Sequence, residues 1–475
     1  MNKKLLFGGI GGAILLAGGV GAFTLLNSPK EAYLLAEYKT ANSAIEQLEQ
    51  RFEQDIKWAD TVKNDATAMD IELSANIEDD YGYIDYEVVE AINSSSIDLT
   101  VQSDPKDHTY AISAGATIFD FTIDPFTAYL TDKKIVGEMP FQDEALELNL
   151  EKLFELSEEE LNNVCISDDD VERLIKQREI LSEDDIKHLQ KELLPEIMKA
   201  LPDEAFEKDG DQLTMELTGR DIEDLLDVVA NTLKDDKVVK RVVNDLINLS
   251  GECEYYTVDE ALDEMVSEIS STDIDRSMSI KSVITVDGSQ IVERSLYFDD
   301  ELVLEGTQNF KDGIEFDYDL IEPEYGTVGS ITGEIGTGKE IRDEIEVSLE
   351  GEKVFSYENK ETNDKKERDF SRAITVYDGY DNFTFNWDGT QSFAGDGNVS
   401  DNEIYLEVPG EGNVSLQVKT DSQTIKGIKL PKNTVDLTNM STSEIEEYFE
   451  YEVAENLMNW AEDLVYELED LFYYY

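Results

Sequence analysis

SIKSVITVDGSQIVERSLYFDDELVLEGTQNF, residues 279–310, decides how the chain folds. Ile280, Ser282, Ile284 and Val286 fall at every second position, as do Ile291, Glu293, Ser295 and Tyr297, and then Leu302 and Leu304. Successive side chains of a strand point to opposite faces, so a period of two marks extended chain with one face toward a core. The same alternation returns in Ile314-Phe316-Tyr318, Ile345-Val347-Leu349, Phe383-Phe385-Trp387, Ile404-Leu406-Val408 and Val414-Leu416-Val418. Strands at a spacing of roughly ten residues predict a large antiparallel sheet or open barrel over residues 273–432. Within it, Gly333-Glu-Ile-Gly-Thr-Gly338-Lys339 matches seven positions of a phosphate-binding loop. The eighth, which must be Ser or Thr, is Glu340, and the surroundings are antiparallel strands, so the string reads as a glycine-rich hairpin turn.

Upstream, Ser28-Pro29-Lys30-Glu31 combines an N-cap serine, a proline at the first helical position and a capping-box glutamate. Leu34, Tyr38, Ala41, Ile45, Leu48, Phe52 and Ile56 follow at spacings of three and four, which predicts a helix to about Val62 with those residues as its buried stripe. Alternation resumes at Met69-Ile71-Leu73-Ala75-Ile77 and continues to Val136, so residues 28–145 read as a helix plus an antiparallel meander. Residues 146–272 return to a helical period, interrupted by one strand at Asp211–Thr218 that is expected to complete the first sheet. Residues 433–475 read as one amphipathic helix, with Ser443 and Glu446 as its capping box.

Residues 1–27 carry the unbroken apolar run Leu5–Leu26 behind Lys3 and Lys4. As a helix it would reach roughly 33 Å, enough to span a bilayer core of about 30 Å. The flanking charges place the N-terminus in the cytoplasm and the bulk of the chain outside, as a single-pass protein of the cell membrane. A cleaved signal peptide is the competing reading, with only a poor cleavage site at Ala17–Phe23. The predicted class is therefore α+β, a transmembrane helix followed by antiparallel curved, half-barrel-like sheets packed with helices. The order helix, sheet, helices, sheet, helix would fit two related halves, although no residue-level repeat marks a duplication.

Acids outnumber bases 108 to 39 for a net charge of −69, while 40% hydrophobic content is that of a folded chain. Such self-repulsion is relieved by salt, so the surface is of halophilic type. Without a basic stripe, nucleic acid and anionic headgroups are poor partners, and no nucleic acid is expected. Cys165 and Cys253 are open to two readings, a disulfide or two buried thiols. Asp396, Asn398, Ser400 and Glu407 stand at positions one, three, five and twelve of a calcium-loop count, with Asp401 where the loop needs glycine. They are the calcium candidates, set against a plain solvated hairpin. His108 and His188 lack a nucleophile at suitable spacing, so no catalytic residue is assigned and no cofactor is required.

The opening helix SPKEAYLLAEYKTANSAIEQLEQRFEQDIKWA, the meander ending Val136-Gly-Glu-Met-Pro-Phe141 and the stretch DQLTMELTGRDIEDLLDVVANTLKDDKVV resemble uncharacterised membrane-anchored extracytoplasmic proteins of Gram-positive bacteria. The helix-plus-sheet plan also resembles the LolA/LppX-like lipoprotein-carrier superfamily. That resemblance implies a half-barrel around an apolar cavity for acyl chains and carries over no functional residue. The resulting expectation is a membrane-anchored, non-enzymatic envelope protein that holds a lipid or other apolar ligand between sheet and helices. A structural or protein-interaction component of the envelope is the alternative, and a carboxylate-dependent hydrolase the third reading.

Overall fold

The computed structural model describes residues 28–78, 84–119, 121–150, 182–250, 257–270, 274–379, 382–408 and 412–474. In chain order come α1 (Pro29–Arg51), α2 (Glu53–Asn64), β1 (Thr67–Glu78), α3 (Tyr86–Asn93), β2 (Ser95–Asp104), β3 (Thr109–Ile118), β4 (Phe121–Leu130), β5 (Lys134–Glu138) and β6 (Ala145–Asn149). Helices α4 (Glu183–His188), α5 (Leu194–Ala200), α6 (Gly219–Asp235), α7 (Lys237–Ser250) and α8 (Val258–Ser270) surround β7 (Phe206–Asp209) and β8 (Gln212–Thr218). Eleven strands follow: β9 (Ser279–Asp287), β10 (Gln290–Phe298), β11 (Glu301–Asn309), β12 (Gly313–Glu322), β13 (Gly326–Gly336), β14 (Glu340–Leu349), β15 (Glu352–Asn363), β16 (Glu367–Tyr377), β17 (Asn382–Ala394), β18 (Gly397–Val408) and β19 (Gly412–Thr424). The chain ends in β20 (Thr434–Asp436), α9 (Thr442–Tyr448), a π turn at Phe449–Val453 and α10 (Ala454–Tyr474).

The described residues fall into two compact units. In the first, built from 28–52, 182–360 and 376–379, strands β7 to β14 pair in chain order, each antiparallel to the next. Ser28 caps α1 by the expected box, its Oγ accepting from Glu31 N while Glu31 accepts from Ser28 N. Tyr33, Leu34 and Ala36 of α1 bury against Leu213, Met215, Leu217 and Ile284 of β8 and β9.

Polar groups then anchor α1 along its length. Tyr33 Oη donates to Ser282 Oγ at 2.7 Å, Arg294 Nη2 to Glu37 at 2.6 Å, Ile291 N to Thr40 Oγ1 at 2.9 Å, and Gln290 Nε2 to Ser43 Oγ at 2.6 Å. Gln47 donates to the Phe310 carbonyl at 2.6 Å, and Arg51 forks onto Asp343 at 3.0 and 2.9 Å. Positions 33, 37, 40, 43, 47 and 51 lie three or four apart, one face of a helix. Leu34 of the stripe expected from hydrophobicity is buried, but the later part of that stripe is corrected. Ile45 is 49% and Leu48 37% exposed, because the sheet face beneath α1 presents Ser282, Arg294 and Asp343 and selects the helix face that satisfies them.

Glycines admit aromatic rings in the same sheet. A Cβ on Gly333 would collide with the ring of Phe316, its cross-strand neighbour, and one on Gly306 would collide with Tyr318. Gly338, at φ +95°, closes the turn between β13 and β14, so the string 333–339 is an antiparallel hairpin. Gly333→Val is expected to lower stability by about 1–3 kcal/mol through overpacking against Phe316. Pairing it with Phe316→Ala in urea titrations checks the cause, since the two losses should be non-additive.

The second unit takes 53–150, 361–375 and 382–474. Its strands pair in the order β17–β18–β19–β1–β2–β3–β4–β5–β6–β20, antiparallel except for the last pair. Leu146, Leu437 and Val453 form a small core with Met139, Phe141 and Ile445. Ser441 and Glu444 cap α9, not Ser443 and Glu446; both pairs fit the S-x-x-E spacing, and the earlier one opens the helix.

The expected architecture is corrected on three points. The first meander does not form its own half-barrel, since β1 pairs along its whole length with β19, Thr67 opposite Thr424. Strand β8 joins β9 of the later series instead of completing the first sheet. Finally, no described helix is long and apolar enough to cross a membrane. Residues 5–26, on which the anchor and the single-pass cell-membrane placement rested, lie outside the described residues, and that topology is withdrawn.

Candidate functional site

Register places the apolar residues of the second unit on one side. Phe385 stands opposite Leu406, Leu406 opposite Val414, and Val414 opposite Ile77. One pair along, Trp387, Ile404, Leu416 and Ala75 align in the same way. Leu73 then faces Ile97, and Val101 faces Ile112. Directly opposed residues share a face, so these side chains make one apolar surface across β17, β18, β19, β1, β2 and β3.

The reverse side carries Asp70, Glu72 and Glu78 of β1, Asp98 of β2 and Asp401 and Glu403 of β18, all exposed, with Lys419 Nζ bridging to Glu72 at 3.0 Å. The sheet is thus strongly two-sided, as strict alternation requires. Yet its apolar side is open. Phe385, Leu406, Val414, Leu416, Ile97 and Ile112 are 36–53% exposed. Toward β4, Trp460 of α10 packs edge-on to Phe126 with ring centroids 5.9 Å apart and lies 5.9 Å from Phe141, leaving Phe126 40% exposed. An apolar patch running over six strands exceeds the scattered exposure normal for a folded chain and is the candidate site of this unit.

The first unit offers grooves of a different chemistry. One of about 830 Å³ is lined by Glu204, Glu207, Lys208, Gln212, Glu216 and Lys281, and another of about 450 Å³ by Gln308, Asn309, Glu315, Asp317 and Glu334 among others. Both are polar, so neither is the apolar cavity expected between sheet and helices.

The calcium candidates do not converge. Asp396 sits in the turn between β17 and β18, and Ser400 shares a hydrogen with Thr420 Oγ1 at 2.8 Å on the next strand. Asn398 pairs with Ser422, and Glu407 lies at the far end of β18 opposite Asn413. Seven residues of extended chain separate Ser400 from Glu407 by about 23 Å, far beyond the reach of one cation. Among the described residues no group of three His, Cys, Asp or Glu side chains could hold a metal. Cys165 and Cys253 lie outside the described residues.

His188 is not the plain surface residue its charged helix implies. Its Nε2 lies 2.7 Å from Asp236 Oδ2, and Arg241 holds the nearby Asp185 at 2.6 Å. Burial pushes the Asp236 carboxyl up, but hydrogen bonds from His188 and the Val238 and Val239 amides outweigh it and hold the group below the usual carboxylate range. The pair ties α4 to the start of α7 and has no nucleophile assigned to it. In the second unit Arg368 links Glu361 at 3.1 Å to Asp55 at 2.8 Å, and Arg372 stacks over Phe370 and Trp387 at 4.0 and 4.5 Å. The Arg368–Asp55 pair braces β16 to α2, and the Arg372 stack ties β16 to β17. Alternation at Ile97, Val414 and Leu416 was visible in the sequence; their exposure was not, because exposure depends on what covers the sheet.

No family model and no curated relative matches the sequence. Among solved structures the chain is similar to the outer membrane protein OpdK of Pseudomonas aeruginosa at 5% identity, covering 76% of this chain and 99% of that one with a TM-score of 0.24. OccAB3 of Acinetobacter baumannii aligns at 5% identity over 76% and 99% with a TM-score of 0.22. The translocator domain of autotransporter NalP from Neisseria meningitidis aligns at 6% over 82% and 98% with a TM-score of 0.17. Likenesses this low transfer neither fold nor membrane placement to this chain.

Proposed function

We propose that the protein is a non-enzymatic binding protein that takes a lipid acyl chain or a comparable apolar ligand on the open face of the second unit's sheet. The observation that carries this reading is the patch of Phe385, Leu406, Val414, Leu416, Ile97 and Ile112, left 36–53% exposed on a sheet whose other side is acidic. At about 25 cal/mol per Å² of apolar surface withdrawn from water, covering such a face with hydrocarbon is a substantial driving force. A ligand carrying an anionic headgroup would meet repulsion from the surrounding acids, so neutral or zwitterionic amphiphiles are favoured.

Native mass spectrometry of the protein purified gently in high salt, with extraction of whatever co-purifies, tests the reading. A stoichiometric apolar adduct is the expected result. Leu416→Asn combined with Ile97→Asn should weaken binding of a fluorescent acyl probe by at least tenfold, about 1.4 kcal/mol, the loss of roughly one partly buried side chain. A clean mass together with unchanged probe binding in the double variant would overturn it and leave the structural or protein-interaction role.

A further inference from the structure

The chain's last helix has an apolar face that the fold leaves uncovered. Its inner face is accounted for: Val453 is buried in the small core, and Trp460 packs on Phe126 and Phe141. Beside that face lies a second line, Met458 and Val465 of α10 with Tyr451 of the preceding π turn, at intervals of seven residues and 60%, 52% and 61% exposed. Ala454 and Ala461 fall between them, so the line alternates steps of three and four as do the a and d positions of a coiled-coil seam. Small residues at the d positions allow close approach of another helix.

The charge beside this line says what kind of helix. Glu455 and Glu462 follow Ala454 and Ala461, placing acids at e, and the chain has no Lys or Arg after Lys432. An antiparallel second copy would set these acids against each other, and a parallel one would set them against Leu457 and Leu464, acid on hydrocarbon. Neither is favourable. We infer that the Tyr451–Met458–Val465 seam docks an amphipathic helix of a different protein, one whose apolar stripe is flanked by lysines or arginines facing the glutamate row. The seam is separate from the sheet patch and does not depend on the apolar-ligand reading.

The test uses the full chain and three synthetic 21-residue peptides: leucine at a and d with lysine flanks, the same with glutamate flanks, and a scramble of the lysine peptide with equal charge and no heptad. Fluorescence anisotropy titrations at 0.15 M and 0.5 M NaCl should show the lysine heptad binding at least tenfold more tightly than either control, with weaker binding at the higher salt. Met458→Asn with Val465→Asn, both exposed and so tolerated by the fold, should lower that affinity at least tenfold. Equal binding of the scrambled peptide, or no effect of the double variant, would overturn the seam. A concentration-dependent dimer in sedimentation that the double variant abolishes would overturn the choice of a foreign partner.

Discussion

Arg51→Met is expected to destabilise the first unit by about 3–5 kcal/mol, the cost of leaving a buried carboxylate without its counter-charge. Arg51 and Asp343 are 5% and 4% exposed at their side chains, and the guanidinium meets both carboxylate oxygens, at 3.0 and 2.9 Å. Asn359 Nδ2 donates to the same carboxylate at 2.7 Å and the Gly336 amide at 2.9 Å, but neither supplies charge. The pair fixes the C-terminal end of α1 on β14. Its net contribution is smaller than the cost of breaking it, because both ions were taken from water to form it. Arg51→Met combined with Asp343→Leu should therefore recover most of the loss. Urea unfolding of the full chain in high salt checks this, and a double variant as unstable as the single one would refute the account.

Tyr33→Ala is expected to cost about 3–5 kcal/mol, the range for removing a fully buried aromatic side chain. Tyr33 is 1% exposed and meets Phe206 edge-to-face at 5.6 Å, at the N-terminal end of α1 where the larger core lies. Tyr33→Phe keeps the ring and should cost about 1–2 kcal/mol, leaving Ser282 without its donor. The phenol also gives a pH signature. Burial, and then the nearby Glu37 charge, hold its pKa well above the ordinary tyrosine value, against the pull of Arg294. A folded-state pKa above the unfolded one means that the contribution is complete below about pH 10 and is lost as pH rises, because the unfolded chain releases the proton first. The stability gap between the native protein and Tyr33→Phe should narrow from about pH 10 upward. A gap that stays constant over that range would show that the hydroxyl is not held in its neutral form.

The same helix shows where sequence reading stops. Its start was legible because a capping box is a local device: Ser28, Pro29 and Glu31 need nothing beyond themselves. Its buried face was not. Of the more hydrophobic line Leu34, Tyr38, Ala41, Ile45 and Leu48, Leu34 is buried but Ile45 and Leu48 are exposed, and α1 turns Tyr33, Glu37, Thr40 and Arg51 to the sheet. Each of those finds a partner some 250 to 290 residues away, at Ser282, Arg294, Ile291 and Asp343. A polar residue on a helix predicts solvent unless its partner is known, and the partner is a tertiary fact.

The candidate site divides in the same way. The alternation of Ile71-Leu73-Ala75 and of Val414-Leu416-Val418 is written in the sequence, since the pleat has a period of two whatever the strand pairs with. By itself the sequence determined the elements: extended chain through most of residues 279–424, the capped helix at Ser28, the hairpin at Gly338, and a net charge of −69. Only the tertiary structure decided that β1 joins β19, that Glu407 stands a strand's length from Ser400, and that Leu416 and Ile97 lie on one uncovered face. Local geometry is set within a few residues by sterics and hydrogen bonding, whereas pairing and coverage depend on segments hundreds of residues apart meeting at one register.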